Sequence, residues 1–185
     1  LAIPTESSWG LAVDPRDARG VEAIFSLKGR HEASPLPVVA ADRSQILALG
    51  VDPTDPGLTL GEPHWPAALS VVVQLQAPLP ASRGRRDLAV RIPAHEGLRR
   101  LLAGLGTALT ATSANLSGTP PILAQSDLAV LFAGREGAIV GGGVLPGGPP
   151  STLIGFESGS PVVLRPGRYE WPSADAGPTS KPRQP

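Results

Sequence analysis

Leu69-Ser70-Val71-Val72-Val73-Gln74-Leu75 is the stretch on which the fold turns. It is short, rich in β-branched valine and almost wholly apolar. That pattern predicts a strand covered on both faces. Working outward, Leu88–Ile92 reads as a second strand, stopped by Pro93. Leu98, Leu101, Leu102 and Leu105 share one face of a helix that ends at Gly104 and Gly106. Ala108–Thr112 is a strand running into Ser113-Ala114-Asn115. Towards the start, Asp42 caps a helix over Ser44–Leu49 with Gly50 as its stop. Asp17–Lys28 is a helix with Val21, Ile24, Phe25 and Lys28 on one face, and Leu1–Pro4 lies within a strand. Towards the end, Ser126 caps a helix carrying Leu128, Leu131 and Phe132, followed by strands at Ala138–Val140, Thr152–Phe156 and Val162–Leu164. Strands alternating with short amphipathic helices point to α/β or α+β.

One domain is expected over residues 1–168. Residues 169–185 form a Pro-rich tail expected to be flexible, because from Pro172 onward no apolar period remains to oblige packing. Opening on Leu1 rather than Met, inside a strand, suggests a trimmed N-terminus. Sixteen basic residues balance sixteen acidic ones, which argues against a protein held on nucleic acid by bulk electrostatics. Gly and Pro supply 22 residues each, so much of the chain must be turn and loop. Aromatic residues are only 4%, so the core must be built from Leu, Val, Ile and Ala, and base-stacking platforms are scarce. The absence of Cys excludes disulfides, thiolate metal sites and a cysteine nucleophile. No stretch reaches the roughly 18 apolar residues of a membrane span. A cytoplasmic protein is expected.

Four clusters could carry chemistry. Pro4-Thr5-Glu6-Ser7-Ser8-Trp9-Gly10 puts hydroxyls at a strand end, placed either for a small polar ligand or for an ST-turn that feeds a helix. Lys28-Gly29-Arg30 ends a helix. Its two cations suit either a phosphate chain or a C-terminal cap, and at such an end they are expected to be exposed. Thr112-Ser113-Ala114-Asn115 again ends a strand in hydroxyl and amide groups, with Ser113 and Asn115 on one side if the strand continues. The alternative there is an Asx-turn. Single positions complete the set. Arg91 stands inside an apolar strand and needs a partner, Ser151 follows two prolines, and Arg165 ends a strand. The runs Gly141-Gly142-Gly143 and Gly147-Gly148 fit no phosphate-loop spacing and read as loop. His31, His64 and His95 have no metal-ligand spacing, and no metal site is expected.

Taken in order, these pieces resemble the YrdC-like family of threonylcarbamoyl-AMP synthases. The pieces are Ile3-Pro4-Thr5-Glu6 with Gly10-Leu11-Ala12, Leu27-Lys28-Gly29-Arg30 with Pro35-Leu36, Trp65-Pro66, Val90-Arg91-Ile92-Pro93, Thr112 to Gly118, Ser151-Thr152 and Leu164-Arg165-Pro166-Gly167. The chain departs from the family pattern at Trp9, usually Tyr, at Ala67-Ala68 and Ser70 in the Trp-Pro run, and at Gly141, usually acidic. The resemblance implies an α/β single-domain twisted sheet with flanking helices and a concave, positively lined cavity. It looks like the family's short form. It implies that L-threonine, bicarbonate and ATP, with magnesium carried by ATP, become threonylcarbamoyl-adenylate and pyrophosphate. The product would pass to a tRNA threonylcarbamoyl-transferase complex, and a weak direct contact with RNA stays open.

By the same resemblance, Lys28 and Arg30 are the expected catalytic cations. These two with Ser113, Asn115 and Arg165 would hold ATP. Thr5, Arg91 and Ser151 would hold threonine. No protein nucleophile is needed, since a carbamate oxygen attacks the α-phosphorus. Two other readings remain at this point: a carbamoyl-adenylate-forming domain of the same fold, and a non-catalytic RNA-binding homologue.

Overall fold

The computed structural model describes residues 1–29 and 34–172. The expected buried strand is β4, Leu69–Gln74, whose Leu69, Val71 and Val73 are fully buried on one face. It lies inside a six-stranded mixed sheet with β3 (Val38–Val39), β5 (Asp87–Arg91), β6 (Leu109–Thr110), β8 (Thr152–Glu157) and β9 (Ser160–Arg165), in the order β6-β3-β5-β4-β8-β9. β3 runs parallel to β5 and β4 parallel to β8; the other pairings are antiparallel. A second, three-stranded sheet has the order β1-β2-β7, from Ala2–Pro4, Trp9–Leu11 and Thr112–Ser113.

Helices clothe both sheets. α1 (Ala18–Lys28) is capped by Asp17 and ends at Gly29, whose φ of 60° is the left-handed conformation a glycine adopts without steric cost. Its Val21, Ile24 and Phe25 pack with Trp9, Leu11 and Leu128 behind the small sheet. α2 (Arg43–Leu47), capped by Asp42, and α3 (Pro56–Gly61) cover β4 and β5 through Ile46 and Leu58. α4 (Glu96–Leu105) lays Leu98 and Leu102 on Ile3, Val39 and Leu109. Each such aliphatic side chain removed from water contributes about 1.5–3 kcal/mol before conformational entropy is subtracted. Asp55 locks α3 to the sheet, accepting the Leu58 N–H at its N-terminus and the Gln74 N–H of β4 with its other oxygen, at 3.0 and 2.9 Å.

Four expectations change. Ala108–Thr112 is not one strand: Leu109–Thr110 pairs in the large sheet and Thr112–Ser113 in the small one, with Ala111 at the step between. Residues after the Pro4–Trp9 turn form β2, not a helix. Ser126 caps nothing. Gln125–Leu128 is a 3₁₀ turn leading into the four-residue α5 (Ala129–Phe132), and the Ser126 hydroxyl bonds Asp127 instead. Ala138–Val140 makes only an isolated bridge to Ala2. The C-terminal run also stays on the body beyond residue 168. Tyr169 and Trp171 pack on the Ala67, Leu69 and Ile154 cluster. The Tyr169 hydroxyl lies 2.8 Å from His64 Nδ1, and its main-chain oxygen accepts from the Thr152 hydroxyl at 2.5 Å. Residues 173–185, most of the expected tail, lie outside the described residues.

Candidate active site

The two sheets face each other across a cavity of about 360 Å³. The small sheet and its turns contribute Thr5, Ser7, Gly10, Thr112 and Ser113; the large sheet contributes Ser70, Ala89, Arg91, Leu153 and Arg165, with Ser151 just before β8. Strand alternation explains the second set. β4 turns Val71 inwards to the core and so turns Ser70 to the cavity; β5 does the same with Val90 and Arg91. Arg165 reaches the cavity by a different device. Leu153 pairs with Arg165 but Ile154 pairs with Val163, so β9 carries one extra residue there. Such a bulge re-aims the side chains beyond it, and it brings Arg165 across from Leu153 on the cavity face.

The β1–β2 turn holds Thr5 at its edge. The Thr5 hydroxyl donates to the Ser8 carbonyl at 2.7 Å and lies 3.4 Å from the Ser8 N–H, so it closes an ST-turn and lines the cavity at once. The ST-turn is thus present, but it feeds β2 and not a helix.

Electrostatically the cavity is one-sided. Among the described lining residues there are two guanidinium groups, Arg91 and Arg165, and no carboxylate. Arg91 Nη1 donates to Glu6 Oε2 at 2.7 Å, behind the lining, with both side chains nearly buried at 11% and 12% exposure. Burial alone would raise the Glu6 pKa, but the Arg91 charge and hydrogen bond, with main-chain N–H donors including Ala94, hold it below the ordinary glutamate value. Arg165 Nη2 donates to the Ser151 carbonyl at 2.9 Å and reaches the Ser151 hydroxyl at 3.3 Å, and that hydroxyl is 2.9 Å from Ser70 Oγ. Burial, and then the like charge of Arg91, lower the Arg165 pKa. Two cations that destabilise each other, with a carboxylate on Arg91 alone, favour an anion between them. Hydroxyls on both walls, Thr5, Ser7, Thr112 and Ser113 on one and Ser70 and Ser151 on the other, supply neutral donors and acceptors.

Lys28 differs from its expected exposed setting. It is 4% exposed and does not line the cavity. Its ammonium donates to the Ser113 carbonyl, to the Asn115 carbonyl at 3.1 Å and to Asn115 Oδ1 at 2.8 Å. A helix end usually leaves lysine in solvent, but here the loop after β7 crosses that end, and the Ser117 N–H bonds the Lys28 carbonyl. Ser113 Oγ donates to Asn115 Oδ1 at 2.7 Å, so these two are together, although β7 ends at Ser113 and it is the bend after it, not a continued strand, that joins them. Ser113 borders the cavity, whereas Asn115 stands behind it. Arg30 lies outside the described residues. Thr5, Arg91, Ser113, Ser151 and Arg165 therefore meet in one place, with Lys28 and Asn115 as their support.

Sequence reasoning did not assign Glu6 or Ser70 to the site. Ser70 carried a signal, as a hydroxyl within an apolar strand. Glu6 carried none of its own, because its partner is 85 residues away. Among the described residues no group of three or more His, Asp or Glu side chains could hold a metal ion, and no helix is long and apolar enough to cross a membrane.

Comparison with known proteins bears on this arrangement. The Sua5/YciO/YrdC family model, described as "Telomere recombination", matches residues 1–167. A threonylcarbamoyl-AMP synthase of Pyrococcus abyssi is 33% identical over 169 residues, 90% of this chain and 50% of that protein. One from Halorhodospira halophila is 35% identical over 165 residues, 88% of this chain and 81% of that protein. Among solved structures, P. abyssi Sua5 complexed with L-threonine superposes with a TM-score of 0.78 at 33% identity, covering 90% of this chain and 49% of that one. E. coli YciO, at 22% identity and a TM-score of 0.73 over 90% of this chain and 82% of that one, shares the fold. The chain spans about half the length of the P. abyssi and Bacillus subtilis relatives that it matches.

Proposed function

The chain belongs to the Sua5/YciO/YrdC family, and from that premise we propose that it joins L-threonine, bicarbonate and ATP into threonylcarbamoyl-adenylate, releasing pyrophosphate. The observation that carries this reading is the pair Arg91 and Arg165 on a hydroxyl-rimmed cavity with no carboxylate among its described lining residues. A relative 33% identical has been solved with L-threonine. The cavity suits two anions, a carboxylate and a phosphate chain, brought side by side.

In this reading Arg91 receives the threonine carboxylate through its planar fork, with Thr5 and Ser151 beside it. The threonine amine and bicarbonate give a carbamate and water. A carbamate oxygen attacks the α-phosphorus of magnesium-bound ATP, and the bond to pyrophosphate breaks. Arg165 and Arg30 stabilise the charge on the transferring phosphorus. Ser113 meets the phosphates, and Lys28 and Asn115 act by holding it, through its carbonyl and its hydroxyl. The product then passes, in the cytoplasm, to a complex that modifies transfer RNA.

The deciding experiment is pyrophosphate release measured with ATP alone, with threonine added, with bicarbonate added and with both. Release only in the complete mixture, with threonylcarbamoyl-adenylate seen by mass spectrometry, is expected. Release independent of threonine would overturn the reading.

A further inference from the structure

Glu6 and Arg91 come from different sheets. Glu6 stands in the β1–β2 turn, and Arg91 is the last residue of β5. Glu6 is held at both carboxylate oxygens. Oε2 accepts from Arg91 Nη1 at 2.7 Å, and Oε1 accepts from the Ala94 N–H at 2.8 Å, just past the end of β5. The carboxylate cannot turn without breaking one of these bonds. Arg91 is thereby tied through a single nitrogen. Among the described residues its Nε and Nη2 make no hydrogen bond, and Arg91 itself lines the cavity while Glu6 does not. The order from interior to cavity is therefore carboxylate, guanidinium, ligand space.

We propose that Glu6 is the positioning residue for Arg91, fixing which edge of the guanidinium faces the amino-acid carboxylate and withholding the other edge from it. This rests on the threonine reading above. A guanidinium has two edges that can bind a carboxylate with paired N–H groups. Without a fixed partner it samples both, and a long side chain loses entropy when a ligand fixes it. Glu6 has already fixed it. Glu6 also offsets one of the two positive charges, so that the site presents Arg165 to a second anion while Arg91 takes a monocarboxylate. Glutamine does not replace it. Its amide offers one acceptor where two donors, Arg91 Nη1 and Ala94 N–H, require acceptance.

The test compares Glu6→Gln and Glu6→Asp with the unaltered chain. KM for threonine is expected to rise about ten-fold or more in Glu6→Gln, with KM for ATP within two-fold of the original. Glu6→Asp, which keeps the charge and both acceptors on a shorter stem, recovers part of that loss. An unchanged threonine KM, or a parallel rise in both KM values with a falling Tm, overturns the proposal. A second measurement needs no substrate. In nitrogen-15 spectra the Arg91 side-chain Nη resonances are expected to be resolved in the original chain and averaged by rotation in Glu6→Gln. Equal restraint in both overturns the positioning role. If the original chain showed no threonine dependence, the functional reading would fail, and these resonances alone would decide whether Glu6 orients Arg91.

Discussion

The ammonium of Lys28, at the last turn of α1, bonds both oxygens of Asn115, at 3.1 and 2.8 Å. A cation that reads as a phosphate ligand or an exposed helix cap thus fastens the end of β7 at Ser113 and the loop that follows it. Lys28→Met should therefore destabilise the fold as well as impair activity. Deleting charge-assisted bonds from a buried group and orphaning their acceptors costs roughly 2–4 kcal/mol. Urea denaturation measures this directly. A stability within about 0.5 kcal/mol of the original would mean that the ammonium serves the ligand alone.

Arg165 and Arg91 should separate by substrate. Arg165→Ala is expected to lower kcat/KM for ATP by roughly ten- to a hundred-fold, the worth of a charge-assisted contact, with threonine KM little changed. Arg91→Ala is expected to do the reverse. Steady-state kinetics with each substrate varied in turn checks the assignment. Arg165→Lys should not restore ATP use, because a point charge cannot bond Ser151 and a phosphate oxygen with a planar fork.

Acid should loosen the tie between the sheets. The folded Glu6 carboxyl lies below the ordinary glutamate value of 4.5. Its contribution to stability is present above that value and is lost as pH falls through the lower folded one. Glu6→Gln removes this dependence. Chemical denaturation from pH 6 downward to about pH 3 should show a shallower loss of stability in the variant than in the original chain.

Gly57 cannot carry a side chain. A Cβ there would lie 2.2 Å from the Val72 carbonyl oxygen of β4, a main-chain atom that cannot step aside. Gly57→Ala is expected to cost about 1–3 kcal/mol by pushing α3 off the sheet, despite alanine's better helix propensity. Thermal unfolding followed by circular dichroism tests it. A stabilised variant would show that α3 sits further from β4.

Removing everything after Arg168 should lower Tm by several degrees, since it deletes the Tyr169 and Trp171 packing and leaves the buried Thr152 hydroxyl without its acceptor. A chain ended after Pro172 keeps those contacts and is the proper comparison. Equal melting temperatures would show that the body ends at residue 168, the domain boundary expected from the sequence.

Much of the architecture is legible locally. The period of α1, the Asp42 cap, the Gly106 stop of α4 and the apolar β4 run are short-range signals, and the structure keeps each of them; Gly104 instead lies inside α4, and α2 ends at Leu47, short of Gly50. Thr5, Arg91, Ser113, Ser151 and Arg165 of the cavity are also legible, as polar groups at strand ends or within an apolar strand, whereas Ser70 went unassigned. What was not legible depends on partners far along the chain. The burial of Lys28 follows from a loop 85 residues away crossing the helix end. The break at Ala111 follows from two sheets competing for one strand. Glu6 gains its meaning only when β5 is folded beside the hairpin.

That break has a mechanical consequence. At Ala111 one strand leaves the larger sheet for the smaller, and its N–H is anchored to the Pro37 carbonyl at 2.8 Å. The two cavity walls are therefore leaves on a common spine, not separate plates. The Glu6 to Arg91 ion pair acts as a clasp between the leaves, away from the spine. A small change in the angle at Ala111 would be amplified at Ser113 and Thr5 into a change in the width of the mouth. The clasp limits that swing. The separation of Ser113 and Thr5 from Arg91 and Arg165 is thus tied to the backbone at a residue with nothing but a methyl group.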